Sequence, residues 1–198
     1  MKTKISKSKK KAKTKKLLVQ KNNKSSVKSK DNHLGDITSL ILRDHVPIKK
    51  HILVLKDSEI GIIQKKLAYA EFERVLSNHA KAEQESLYIH MKNEDDLCIE
   101  GLEGDTEHAL ADQLMKEIDS IKNDDNLWMA KVKVLAELVD HHVKEEEKEV
   151  LKHVQKKFDV NTRIEIGTEY SNLLGQFRDE KFQTTKYTEQ SQENTVHA

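Results

Sequence analysis

From residue 36 onward, apolar side chains recur at alternating steps of three and four. The first run passes through Ile37, Ile41, His45, Ile48, Ile52 and Leu55. The second passes through Ala68, Phe72, Leu76, His79, Glu83 and Leu87, and the third through Leu97, Gly101, Gly104, His108, Ala111, Met115 and Ile118. The fourth passes through Trp128, Val132, Leu135, Val139, His142, Glu146 and Val150. Steps of three and four keep side chains on one face of an α-helix, so each run predicts an amphipathic helix with one buried seam. Polar, helix-capping residues cluster near Ser58–Gly61, Met91–Asp96 and Asn123–Asn126, which places short connections there. Four such helices joined by short loops predict an all-α fold, an antiparallel up-down-up-down four-helix bundle over residues 33–160.

The flanks read differently. A stretch around Val160-Asn161-Thr162 offers a cap for a shorter amphipathic helix over 161–178, with Ile164, Ile166, Tyr170, Leu173, Leu174 and Phe177 on its apolar side. Residues 179–198 are polar and predict a flexible tail. Residues 1–32 are rich in Lys, Ser, Thr and Asn without hydrophobic periodicity, so they predict a disordered arm. The only proline, Pro47, falls inside the first helix and predicts a kink beside His45.

Composition sharpens this picture at two points. The formal net charge is +1, yet residues 1–30 carry thirteen lysines and no acid, leaving 22 basic against 34 acidic residues in the rest. The arm therefore suits a non-specific anionic partner, a nucleic acid or a membrane surface, or serves only to keep the chain soluble. It has no aromatic residue on which a base could stack. No apolar run approaches the roughly 18 residues a transmembrane helix needs, and Leu17-Leu18-Val19 is too short for a signal-peptide core. One cysteine, Cys98, excludes an internal disulfide framework. Cytoplasmic residence follows as the expectation.

The chemistry lies in a local echo. His79-Ala-Lys-Ala-Glu83 and His142-Val-Lys-Glu-Glu146 are both H-x-x-x-E, and each is followed at the same offset by an apolar pair, Leu87-Tyr88 and Val150-Leu151. Residues four apart share a helix face, and these four occupy slots that the seams otherwise give to Leu, Ile or Val. A buried ionised glutamate is costly unless it is paired or bound to a metal. In antiparallel neighbours, residues equally distant from a turn lie at one height. His45 and His79 are nearly symmetric about Gly61, His79 and His108 about Asn93, and His108 and His142 about Asp124-Asp125. The predicted metal ligands are thus His45, His79, Glu83, His108, His142 and Glu146. Six donors exceed what one tetrahedral zinc takes and suit two metals with carboxylate bridges. Imidazole and carboxylate donors favour iron, with manganese or zinc as alternatives. His141 falls off the seam. His51, His90 and His153 are not assigned as ligands, and the acidic run Glu145–Glu147 beyond Glu146 reads as a solvated face. For Tyr88 and Trp128, packing is the expected role.

These segments resemble the hemerythrin-like (HHE cation-binding) domains. The matching stretches are Asp44-His45 with Pro47-Ile48-Lys49, HAKAEQESLY at 79–88, EGDTEHALADQL at 103–114 and LVDHHVKEEEKEVL at 138–151, within a likeness spanning roughly 36–175. The resemblance implies that His45, His79, His108 and His142 are terminal ligands and that Glu83 and Glu146 bridge two non-haem iron ions, oxo- or hydroxo-bridged. It also implies binding or sensing of dioxygen, nitric oxide or reactive oxygen species; a monomer or weak oligomer is the expected assembly. Oxygen-carrying members have a second histidine four residues past the third-helix ligand; this chain has Asp112 there, which argues against reversible oxygen carriage. The alternatives are a peroxide-scavenging redox enzyme, with no further catalytic side chain evident, an iron supplier for iron–sulfur cluster repair, and a metal-free interaction module.

Overall fold

The computed structural model describes the backbone of residues 35–193 and the side chains of 35–178. The lysine-rich arm at 1–32 lies outside the described residues, as do the side chains expected to form the tail. The described residues form helices and turns, with no strand among them. In order they are α1 (Ile37–Lys56), α2 (Ile62–Gln84), α3 (Leu87–Lys92), α4 (Cys98–Ser120), α5 (Asp125–Glu145), a π-helical turn (Glu146–Val150), α6 (Leu151–Lys157) and α7 (Val160–Glu193). None of the described helices is long and apolar enough to cross a membrane.

Local chemistry sets the helix ends. Asp36 caps α1 by accepting from the Thr38 N–H at 2.9 Å, and Asp124 caps α5 by accepting from the Leu127 N–H at 2.9 Å. Asp159, one residue before the stretch expected to cap the last helix, accepts from the Thr162 N–H at 2.8 Å. The second predicted run does not continue as one helix. It breaks at Glu85-Ser86, where the buried Ser86 hydroxyl donates to the Ala82 carbonyl at 2.6 Å, and resumes as α3. Pro47 lies within α1, which stays helical from Ile37 to Lys56.

Helix α1 packs on α2, α5 and α7; α4 packs on α3 and α5; α2 also meets α4 and α7. Their seams meet in two apolar clusters. One gathers Ile48, Ile52, Phe72, Leu76, Met115, Val132, Leu135 and Val139. The other gathers Ile37, Ile41, Leu87, Tyr88, Met91, Leu151, Val154, Ile166 and Tyr170. Each buried Leu or Ile in them contributes about 1.5–3 kcal/mol. Between the clusters lies a polar layer. Along α1, for example, His45 falls between Ile41 of one cluster and Ile48 of the other. Apolar side chains therefore seal that layer along the helix axes.

The π-helical turn decides what the fourth seam presents. A π turn inserts one residue into the helical repeat and advances the phase of everything after it. Leu151 and Val154 consequently enter the core, while His153, in phase with the uninterrupted seam, comes out to the surface and pairs with Glu100 at 2.7 Å.

Candidate metal centre

The structure brings all six predicted ligands into the polar layer, supplied by α1, α2, α4, α5 and the π turn. Their exposures are 0% for His45, 1% for His79, 0% for Glu83, 5% for His108, 6% for His142 and 2% for Glu146. Their donor atoms fall into two groups, His45 with His79 and Glu146, and Glu83 with His108 and His142. Within each group one ligating atom per residue lies within 4.8 Å of the others. His45 Nε2 is 3.1 Å from Glu146 Oε2, and His108 Nε2 is 3.1 Å from His142 Nε2. Two donors about 2.1 Å from a common ion and at right angles to it stand at about this separation. Glu83 Oε2 sits between the groups, 3.4 Å from His79 Nε2 and 3.7 Å from His108 Nε2.

Ring orientation follows from the outer nitrogens. His45 Nδ1–H donates to Glu147 at 3.0 Å, and Lys49 holds the same Glu147 oxygen at 2.6 Å. His142 Nδ1–H donates to Glu107 at 2.6 Å. His79 Nδ1–H donates to the Tyr170 hydroxyl at 2.9 Å, which donates onward to Asp44 at 2.9 Å. In each case the Nδ1 proton leaves Nε2 bare and turned inward, the arrangement that carboxylate and hydroxyl partners impose on metal-ligating histidines. His108 is oriented by packing: its ring stacks on Tyr88 at 5.4 Å between centroids. Gly104, one turn before it, makes room, because a Cβ there would lie 2.5 Å from the Tyr88 ring.

What the layer lacks is partners. Both carboxylate oxygens of Glu83 and of Glu146, and Nε2 of His45 and of His79, are buried with no hydrogen bond. Each such atom costs roughly 1–3 kcal/mol. Protons relieve part of this. Burial and the facing Glu146 carboxylate push the Glu83 carboxyl well above the usual range, so Glu83 keeps its proton. Burial opposes ionisation of Glu146 too, but the Glu83 carboxyl and the imidazoles facing it hold it below the usual range. Burial, with His45 and other imidazoles nearby, drives His79 well below its ordinary value; burial and His142 bring His108 to about 3. For His142, burial works against the charged form, and Glu107 reverses the sign so that its pKa is raised. The layer is thus a buried cage of four imidazoles and two carboxyl groups. Its donor set and orphaned atoms fit cations that replace the carboxyl proton.

A family profile, hemerythrin HHE cation binding domain, matches residues 36–154. The chain belongs to the hemerythrin HHE cation-binding family. Comparison with curated proteins and with solved structures gives no match. The matched segment covers α1 through most of α6, and with it every ligand of the candidate centre.

The outer partners are not legible along the chain. Glu147 falls in a run that reads as a solvated face, yet it reaches His45 because the π turn lets consecutive residues Glu146 and Glu147 both face α1. Glu107 is next to a ligand in sequence but off its seam. Tyr170 reads only as part of the apolar side of a flanking helix, and it lies beyond the family match. His141 is exposed, as its position off the seam requires, and pairs with Glu145 at 3.2 Å. Trp128 packs edge-on against Tyr69 at 5.6 Å.

Tyr170 gives a direct test of the outer layer. Tyr170→Phe keeps the buried ring and removes the acceptor for His79 Nδ1–H. Losing such a partner typically costs 10–100-fold in metal affinity, so cobalt(II) affinity, measured by chelator competition, is expected to fall about tenfold. The nitrogen chemical shifts of His79 should lose the signature of a fixed tautomer. Unchanged affinity and an unchanged tautomer would remove Tyr170 from the site.

Proposed function

We propose that this chain is a non-haem di-iron protein that binds or senses dioxygen, nitric oxide or reactive oxygen species. On this reading α1, α2, α4 and α5 form an antiparallel up-down-up-down bundle around the centre. His45, His79, His108 and His142 would be terminal ligands, while Glu83 and Glu146 would supply the carboxylates shared by the two ions. The reading rests on one observation: two groups of buried donors, with Glu83 between them and the carboxylate oxygens of Glu83 and Glu146 lacking hydrogen bonds. A lone tetrahedral ion would leave donors of the other group orphaned.

When bound, the ferrous pair supplies electrons and open coordination positions to an oxygen- or nitrogen-containing ligand. The chain supplies the surroundings. The two apolar clusters keep water from the layer along the helix axes. Glu147, Tyr170 and Glu107 hold three imidazoles in one tautomer. A largely apolar cavity of about 250 Å³ has His108 and His142 in its wall, and such a space favours small neutral molecules over ions. Asp112, which occupies the position of the additional histidine of oxygen carriers, is more than half exposed and pairs with Lys116 at 2.6 Å, which supports sensing or scavenging over carriage.

Metal analysis with the absorption spectrum tests the reading. Two irons per chain are expected, with the bands of a carboxylate-bridged diferric pair that shift on adding azide. Absence of stoichiometric metal, or a single zinc, overturns it. Rapid consumption of peroxide by the loaded protein, lost in His142→Ala, would favour the scavenging enzyme instead.

A further inference from the structure

With apolar clusters on both sides along the helix axes, a cation reaching the buried layer has to pass between helices. A cavity of about 110 Å³ leads in between α4 and the α5–π segment, and its wall includes both His142 and Glu146. Around it stand Glu100, Glu103, Glu107, Glu145 and Glu149. The basic groups facing these carboxylates are few: His153 on Glu100, His142 on Glu107, His141 on Glu145 and Lys148 on Glu149. At the mouth, Glu107, His141 and Glu145 bring two carboxylate oxygens and a ring nitrogen within 4.8 Å of one another.

An acidic rim alone is commonplace, but this one ends on an unsatisfied group. Glu146 is 2% exposed, lines the cavity, and has no hydrogen-bond partner on either oxygen. Negative charge therefore continues from the surface to a buried carboxylate. The cavity on the other side of His142 is of opposite character, walled by Leu76, Ala80, Ala111, Met115 and Val139.

We propose that the acidic cavity is the loading route for a divalent metal cation, with Glu107, His141 and Glu145 as its first resting site. The inference rests on reading the buried layer as a metal centre. A concave surface of one sign between low-dielectric walls focuses the field and concentrates counter-ions, raising association rates by roughly 10–1,000-fold. Glu107 links the two stations. Its carboxylate lies in the mouth group and also holds His142 Nδ1, so a cation resting there is one side chain from a candidate ligand. Cation and neutral ligand would then use different faces of the protein.

The test is the rate at which the metal-free full-length chain takes up cobalt(II), followed by stopped-flow absorption at several salt concentrations. The variant Glu103→Gln/Glu149→Gln leaves all six candidate ligands and the three resting-site residues in place. It is expected to load about tenfold more slowly at low salt, with a weaker salt dependence and the same final metal content. Glu149→Lys alone, at an exposed position, should also slow uptake, whereas Leu138→Trp in the apolar cavity should not. Equilibrium titration should show one further weak, salt-sensitive equivalent that His141→Ala removes. Wild-type uptake rates in both acidic-rim variants overturn the route, and lack of the weak equivalent overturns the resting site. A wild-type chain that takes up no metal overturns the centre itself, and the route with it.

Discussion

Replacing Glu83 and Glu146 together by methionine is expected to abolish metal binding while leaving the metal-free fold as stable as before, or more so. Both carboxyl groups are buried, and neither oxygen of either has a hydrogen-bond partner. In the metal-free state burial is costly for both: Glu83 is held neutral against its solution preference, and Glu146 loses solvation that the facing Glu83 carboxyl and imidazoles offset. Methionine has nearly the same volume and no such requirement. Exchanging buried ionic groups for apolar ones of like size is often neutral or stabilising by about 1–4 kcal/mol. A control at Leu135, fully buried in the cluster beside the layer, should behave oppositely: Leu135→Ala costs about 2–5 kcal/mol and leaves the donors in place. Chelator competition and urea melts of the metal-free proteins read both quantities. If the double variant melted several kcal/mol below wild type, or still bound two ions, the carboxylates would be serving the fold rather than a metal.

Gly167→Ala is expected to be the most damaging single methyl group in the chain. A Cβ at Gly167 would lie 2.0 Å from the Gly35 carbonyl oxygen and 3.0 Å from the Ile37 nitrogen, both backbone atoms at the start of α1. Backbone cannot rotate away, so α7 has to withdraw. The buried Arg163–Asp36 pair at 2.8 Å then opens, and Asp36 also caps α1. Overpacking of this kind typically costs about 1–3 kcal/mol, and more where the neighbour is rigid; a loss of about 3 kcal/mol is expected. Tyr170 lies one turn further along α7, so its hold on His79 should loosen and metal affinity should fall with stability. The same helix carries its own control. A Cβ added at Gly175 would meet nothing within 4 Å, and Gly175→Ala should stabilise by about 0.5–1 kcal/mol through helix propensity alone. Equal melting temperatures for the two alanine variants would show that α7 is not clamped to α1 as described.

The inward direction of the six donors is legible because a regular helix turns spacing into facing. His79 and Glu83, or His142 and Glu146, share a face by virtue of being four apart, and the seams of Leu, Ile and Val around them say which way that face points. The level meeting of four histidines follows from their symmetric placement about the turns. The same rule misleads wherever the backbone departs from the regular repeat. Nothing in Glu146–Val150 marks a π turn, since no proline or glycine stands there, so neither the emergence of His153 nor the inward reach of Glu147 can be read from spacing. The break at Ser86 is hidden in the same way. The polarity of the chain beyond 178 predicts an end to the last helix there, yet α7 runs to Glu193.

By itself the sequence determined which residue types face inward, and hence the all-helical class, the HHE kinship and a cage of imidazoles and carboxylates. These are local properties, carried by spacings of three and four along one chain. Only the tertiary structure decided which partners set those imidazoles. The pairs His45–Glu147, His142–Glu107 and His79–Tyr170 join residues 102, 35 and 91 positions apart, and no periodicity encodes such distances. It also decided which sides of the layer open to solvent, because a cavity is made by the mismatch of several packed faces and belongs to none of them singly.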